Sequence, residues 1–128
     1  MRKEEAVSYL ANIYAIVEAD GISDRIEQSV FEEIAQEIGA GYFERKRAMD
    51  KSKSDKLPAA LKLRWSDQIR NLEDMLFVAH CDGTPDPTEK PAIISYANFL
   101  NISRNQLSVI KFQVRHRFSE YSKRRNPD

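Results

Sequence analysis

The sequence predicts an all-α fold: a helical bundle of about six helices, built from two repeated helix-turn-helix units with a pseudo-twofold relation. Apolar residues recur at helical spacing along several segments, and no segment shows the alternation typical of a strand. The stretch Asp20–Glu27 returns 62 residues later as Asp82–Glu89, and the apolar positions around it return at the same interval. The internal repeat therefore spans about residues 13–39 and 75–101 within a single domain of 128 residues.

The first half is expected to contain three helices. Apolar spacing predicts a helix over residues 3–19. A second helix should end at Gly39, because glycine tolerates the positive φ that terminates a helix. Tyr42–Met49 is expected to form a shorter, basic helix, and Lys51–Lys56, rich in Ser, Lys and Asp, to be the least structured stretch.

The second half should repeat this plan. A long helix is expected to open at Ser66, and the helix after the second motif contains Pro91 at its fifth position, which predicts a loosened or kinked first turn. Asn101 stands where Gly39 stood and is expected to end that helix. Ser103 and Gln106 have the spacing of a capping box, so they predict the start of the last helix.

Each acidic motif contains a predicted N-cap. Asp24 with Glu27, and Asp86 with Glu89, have capping-box spacing, in which the cap carboxylate accepts the amide three residues on and Glu reaches back to the cap amide. Pro87 falls at the first helical position, where its missing N–H costs nothing. Capping therefore accounts for two of the three acidic positions in each motif.

Asp20 and Asp82 need another explanation. They follow apolar helices, at helix C-termini where the macrodipole disfavours a carboxylate by about 0.3–1 kcal/mol. Three partners would compensate them: amides at the start of the next helix, a bound cation, or a basic group on a partner. If the two motifs pack about a pseudo-twofold axis, their carboxylates would pool around one cation.

Composition limits the classes of function. Lys plus Arg and Asp plus Glu both number 20, so no overall charge draws the chain to nucleic acid or an anionic membrane. The longest apolar runs are too short to span a bilayer, and the N-terminus does not resemble a signal peptide. A lone cysteine, Cys81, fits a reducing compartment, so a cytoplasmic location is expected, with no membrane insertion.

Charge alternates along the chain. The net charge is −6 over residues 1–40, +5 over 41–70, −4 over 71–101 and +5 over 102–128. Each acidic segment is thus followed by a basic one, which predicts either attraction between segments or separate acidic and basic faces. The cluster Arg45–Arg47 is interpreted as a solvated face rather than a phosphate site.

Other kinds of site fit less well. His80 and Cys81 are soft or borderline metal ligands, but adjacent helical residues diverge and the only other histidine is His116. The motif lacks the twelve-residue ligand spacing of an EF-hand.

Catalysis by Cys81 would need a base and an orienting group, so no enzyme activity is predicted. The helix-turn-helix units are acidic where a recognition helix would be basic, so nucleic acid is not expected as a partner.

The doubled motif resembles a known family. An apolar helix, then Ala-Asp-Gly-x-x-Asp-x-x-Glu, then a helix ending in Ile-Ala-x-x-Ile-Gly, is similar to the TerB-like domain of bacterial tellurite-resistance proteins. Val17–Gly39 matches this pattern closely and Val78–Asn101 more loosely. His80, Cys81 and Pro91 depart from it in the second copy.

The resemblance implies a non-enzymatic binding or scaffold module, linked to tellurite and to metal or envelope stress in bacteria, that has another protein as its partner. It also implies an acidic site for a divalent cation, calcium or magnesium, where the two motifs approach each other. The positions that carry over are Asp20, Asp24, Glu27, Asp82, Asp86 and Glu89. The alternative is a purely structural interaction domain whose acidic residues only cap helices.

Overall fold

The computed structural model describes residues 1–17, 25–54, 63–81, 83 and 86–125 of the chain. Within these ranges the protein is all-α, as predicted, and no strand occurs. The described residues form six α-helices and one short 3-10 turn: α1 (Lys3–Val17), α2 (Arg25–Glu37), α3 (Tyr42–Ser54), α4 (Trp65–Cys81), the 3-10 turn (Pro87–Glu89), α5 (Pro91–Phe99) and α6 (Arg104–Arg125).

Two helices, α1 and α4, lie at the centre of the bundle. α1 packs against α2, α3 and α4, while α4 packs against α1, α2, α5 and α6. Consequently α1 is buried on nearly all sides: Tyr9, Leu10, Ala11 and Ile13 are fully inaccessible. Such burial of apolar area, at roughly 25 cal/mol per Å², is the main favourable contribution to folding.

The ends of α2 and α5 have the same backbone hydrogen bonds. Gly39 has φ +75°, and the amide of Ala40 donates to the carbonyl of Ala35 at 2.9 Å. Asn101 has φ +58°, and the amide of Ile102 donates to the carbonyl of Ala97, also at 2.9 Å. Both are Schellman ends, in which a residue with positive φ lets the chain satisfy the last helical carbonyls. The two predicted C-caps are confirmed.

The helix bounds follow the interval of 62 residues as well. α1 and α4 begin at Lys3 and Trp65, and α3 and α6 begin at Tyr42 and Arg104. These bounds agree with the repeat read from the sequence, although the duplication itself stays a prediction.

The start of α6 is the capping box predicted for it. The amide of Gln106 donates to Ser103 Oγ at 3.1 Å, and the amide of Ser103 donates to Gln106 Oε1 at 2.8 Å. Two amides that lack helical partners are thereby satisfied.

Pro91 occupies a different place from the one predicted. Instead of kinking one helix, it begins α5 at the first helical position, after the separate 3-10 turn Pro87–Glu89. At that position its missing N–H and fixed φ cost nothing, whereas inside a helix its ring would clash with the carbonyl four residues back.

The prediction for Lys51–Lys56 is wrong in its first part. α3 continues through residues 51–54, beyond the predicted end at Met49, and the rest of that stretch lies outside the described residues. Lys51 and Lys53 fall in the last turn of α3, where cations interact favourably with the helix dipole.

Ion pairs join each acidic segment to the basic segment that follows it. Arg45 pairs with Glu32 at 2.6 Å, and Arg47 with Glu4 at 2.8 Å. In the second half Lys111 pairs with Asp86 at 3.0 Å. The alternating charge therefore produces attraction between segments, and two members of the Arg45–Arg47 cluster are already paired with carboxylates.

Within the described ranges, no helix combines the length and the apolar character that crossing a membrane requires.

Candidate functional site

The six acidic residues predicted as metal ligands are described only in part. Asp20, Asp24 and Asp82 lie outside the described residues, and so does the side chain of Glu27, whose backbone belongs to α2. Asp86 and Glu89 are described, and they lie at either end of the 3-10 turn. Whether the two motifs meet around one cation therefore stays a prediction.

Asp86 is an N-cap, as predicted, but the amide that it caps is not the predicted one. Its Oδ1 accepts the amide of Thr88 at 3.1 Å, two residues on, while the amide of Glu89 donates to the Asp86 carbonyl. The reason is the 3-10 geometry of this turn, which brings the second amide, rather than the third, within reach of the side chain.

One oxygen of Asp86 receives all the hydrogen bonds. Oδ1 accepts from the amide and hydroxyl of Thr88 and from Lys111 Nζ, at 3.1, 2.6 and 3.0 Å. The Thr88 and Lys111 hydrogen bonds, with the Lys111 charge, lower the pKa of Asp86, which is therefore ionised at neutral pH. Among the described residues, Oδ2 has no hydrogen-bond partner.

Asp86 lines a cavity of ≈ 430 Å³ that lies between the 3-10 turn, α5 and the first half of α6. This volume falls in the range of small-molecule sites, roughly 300–1,000 Å³. Four lining residues are apolar: Ile94, Ala97, Ile102 and Leu107. The other eight are charged or polar: Asp86, Thr88, Glu89, Asn98, Arg104, Asn105, Ser108 and Lys111.

The cavity is lined by two acidic and two basic side chains. Asp86 and Glu89 are contributed by the 3-10 turn and its N-cap, and Arg104 and Lys111 by α6. Asp86 and Lys111 neutralise each other, whereas Glu89 and Arg104 have no ion pair among the described residues. The cavity thus offers one unpaired charge of each sign.

A metal centre is not assembled by the described part of the chain alone. There, no group of three or more His, Cys, Asp or Glu side chains is placed to hold an ion. His80 packs its ring edge-to-face on Phe118, with centroids 4.6 Å apart, and Cys81 is half-buried beside it. A cation at the acidic motifs would therefore depend on carboxylates outside the described residues.

A second polar cluster, which sequence reasoning missed, lies in the core between α1, α4 and α6. The Tyr9 hydroxyl donates to Asp74 Oδ2, and Arg117 Nη1 donates to Asp74 Oδ1 at 2.6 Å. Asn12 Nδ2 donates to Asn71 Oδ1 at 2.8 Å, and Asn71 Nδ2 donates to the Tyr9 carbonyl at 3.0 Å. A signal was available, because Asn12 and Asp74 are polar residues on apolar helix faces and are separated by the repeat interval.

Burial sets the ionisation of this cluster. It raises the pKa of Tyr9, and the neighbouring Asp74 charge adds to the effect, so Tyr9 stays protonated. Burial alone would lower the pKa of Arg117, but the charge and hydrogen bond of Asp74 outweigh it and raise that pKa. Half-buried Glu73 has a raised pKa, first from desolvation and then from the Asp74 charge. Asp74 and Arg117 thus neutralise each other within a buried hydrogen-bond network.

No family model matches the chain, and neither a curated protein nor a solved structure is significantly similar to it.

Proposed function

We propose that the chain is a non-enzymatic, TerB-like binding module of the cytoplasm that takes part in a bacterial response to tellurite or to metal or envelope stress. On this proposal its acidic motifs bind a divalent cation, calcium or magnesium, and its partner is another protein. The ligands are Asp20, Asp24, Glu27, Asp82, Asp86 and Glu89, as the resemblance implies. The doubled motif and the all-α fold support the assignment.

The observation that carries the proposal is the position of the Asp86 carboxylate. An ionised carboxylate with Oδ2 unoccupied among the described residues faces a cavity that Glu89 also lines. Oxygen ligands of this kind suit hard cations, which take six or more oxygens in the case of calcium. Two carboxylates are too few, so the remaining ligands would come from residues 20, 24, 27 and 82.

The test is a titration of the whole chain with Ca²⁺ and with Mg²⁺, followed by amide chemical shifts. Saturable shifts at both motifs are expected, and a rise in Tm should accompany them because a ligand of the native state stabilises it. Asp20→Asn and Asp82→Asn should each stabilise the cation-free protein slightly, by removing a charge that the helix dipole disfavours, and should reduce the cation-dependent rise in Tm. Glu120→Gln, which neutralises an exposed carboxylate of α6, is the matched control.

A second candidate function, a purely structural interaction domain, is favoured by the contacts of Asp86. Its Oδ1 caps the 3-10 turn and pairs with Lys111, so this acidic residue already has an architectural role. If neither ion shifts any amide and both Asn variants lose stability, the acidic motifs only cap helices, and the cation-binding proposal is wrong.

A further inference from the structure

We propose that the cavity between the 3-10 turn, α5 and α6 binds a free α-amino acid with an apolar side chain. The inference goes beyond the proposed function, since it needs neither a divalent ion nor the first acidic motif. It rests on the four charges, the free hydrogen-bonding groups and the apolar part of one cavity.

The charges select a zwitterion. Because Asp86 and Lys111 neutralise each other, a purely anionic ligand would pair with Arg104 but be repelled by Glu89, and a purely cationic one would pair with Glu89 but be repelled by Arg104. A ligand that carries both an ammonium and a carboxylate meets an opposite charge for each group. Arg104 is suited to the carboxylate, since guanidinium binds carboxylates through two parallel hydrogen bonds. Glu89 and Asp86 Oδ2, which has no partner among the described residues, are suited to the ammonium.

Three neutral polar side chains in the cavity can form hydrogen bonds with the same ligand. Asn98, Asn105 and Ser108 line it, and none of their side chains has a hydrogen-bond partner within the part of the chain that the structure describes. They lie on α5 and α6, which also carry three of the four apolar lining residues, Ile94, Ala97 and Leu107. Eight polar or charged residues line the cavity beside four apolar ones, so it is more polar than most small-molecule sites and suits a ligand with a charged head.

The apolar lining selects the side chain. Ile94 is 42% exposed and Ile102 is partly buried, so these two residues offer apolar surface to a ligand, whereas Ala97 and Leu107 are almost inaccessible. A ligand side chain that covers this surface gains roughly 25 cal/mol per Å² of apolar area removed from water. Leucine and methionine fit this description, because each joins an apolar side chain to a zwitterionic head.

The experiment is a titration of the full chain with L-leucine and L-methionine, in EDTA so that divalent ions play no part, with amide shifts as the readout. Saturable shifts should map to residues 86–111. Two analogues of leucine each lack one of its two charges: leucinol has no carboxylate, and 4-methylpentanoate has no ammonium. Each should bind at least about tenfold more weakly than leucine, because a charge-assisted hydrogen bond is lost.

Single substitutions test which charged side chain binds which end of the ligand. Arg104→Gln should weaken leucine binding by about tenfold or more and should not weaken leucinol binding, whereas Glu89→Gln should weaken leucine binding and should not weaken 4-methylpentanoate binding. Arg115→Gln is the control, because Arg115 is an exposed arginine of α6 that does not line the cavity. No saturable shift with either amino acid, equal binding of leucine and its analogues, or equal weakening by Arg115→Gln would overturn the proposal. Since EDTA is present, a failure here says nothing against cation binding, and a failed cation titration leaves this site intact.

Discussion

The hydrogen bond between Tyr9 and Asp74 is one of two that join α1 to α4 at corresponding positions of the repeat. The Tyr9 hydroxyl donates to Asp74, and Asn12 donates to Asn71. At the repeat interval of 62 residues, Tyr9 corresponds to Asn71 and Asn12 to Asp74, so the second contact joins the same positions with the helices exchanged. A twofold relation between α1 and α4 produces such an exchange. The buried polar cluster therefore agrees with the predicted pseudo-twofold relation.

Asp74→Asn should be strongly destabilising. The Asp74 side chain is 2% exposed and its partner Arg117 is 37% exposed, so the substitution leaves a largely buried guanidinium without its counter-charge. Removing one partner of a buried ion pair costs about 3–5 kcal/mol, and the partial exposure of Arg117 places the expected loss near the lower figure. The measurement is the free energy of unfolding in urea.

Glu120→Gln is the matched control for that measurement. Glu120 pairs with Lys123 at 3.7 Å on the surface of α6, where both side chains are more than half exposed. The expected change is below about 1 kcal/mol. Equal losses in the two variants would contradict the structural role assigned to Asp74.

The Asn12–Asn71 contact should show coupling between its two residues. Either single substitution by Leu leaves a buried amide without this partner, at a cost of about 1–3 kcal/mol. The double variant should lose less than the sum of the two single losses, with an interaction energy of about 0.5–3 kcal/mol, because no amide is then left facing an apolar group. Additive losses in a double-mutant cycle would mean that the two amides act independently.

Gly39→Ala should destabilise the protein through its backbone alone. Gly39 has φ +75°, and a Cβ added there meets nothing within 4 Å, so the expected loss of about 1–2 kcal/mol is the left-handed conformation itself. Gly41→Ala is the control, because Gly41 is outside the left-handed region and its added Cβ makes only ordinary contact with Glu44, at 3.5 Å. Thermal unfolding of both variants checks the prediction, which fails if Gly41→Ala loses as much as Gly39→Ala.

Tyr96→Phe should stabilise the protein. The ring of Tyr96 is fully buried and stacks on Phe99, but its hydroxyl has no hydrogen-bond partner in the described part of the chain. An unsatisfied buried polar group costs about 1–3 kcal/mol, which the variant removes while it keeps the ring. Tyr9→Phe provides the contrast, because the Tyr9 hydroxyl donates to Asp74 and its loss should be destabilising.

Glu73→Gln should raise Tm at neutral pH, and the gain should disappear in acid. Desolvation and the Asp74 charge raise the pKa of Glu73 above its ordinary value of 4.5, so the native state binds this proton more tightly than the unfolded state does. Parent stability therefore falls as pH rises from the unfolded pKa through the folded one, and glutamine avoids that loss. The difference in Tm between variant and parent, measured from pH 3 to pH 8, should grow with pH. A difference independent of pH would contradict the raised pKa.

Local signals predicted three of the helix ends that the structure describes: the ends of α2 and α5 and the start of α6. Gly39, Asn101, Ser103 and Gln106 act through neighbours within a few residues, so their sequence context was sufficient. Pro91 was misplaced because a proline fits equally the interior of a kinked helix and the first position of a new one. The intervening 3-10 turn decides between these, and that turn depends on packing against α4 and α6.

Distant partners could not be predicted. Asp86 was correctly identified as an N-cap, but Lys111 lies 25 positions further along the chain and Arg117 lies 43 positions after Asp74. Pairings of that kind depend on how α6 packs on α4. The cavity was missed for the same reason, because its walls come from three elements whose approach no local pattern encodes.

The enclosure of α1 has a consequence for hydrogen exchange. Because α1 is covered by α2, α3 and α4, its amide hydrogens should exchange with solvent only when the whole domain opens. Among its described side chains, α6 buries only Leu107, Val114 and Tyr121, each seven residues from the next along one stripe, so its amides can exchange through local opening while α1 stays closed. The two helices thus report on different motions. A ligand bound between α5 and α6 should slow exchange along α6 at concentrations too low to change the exchange of α1.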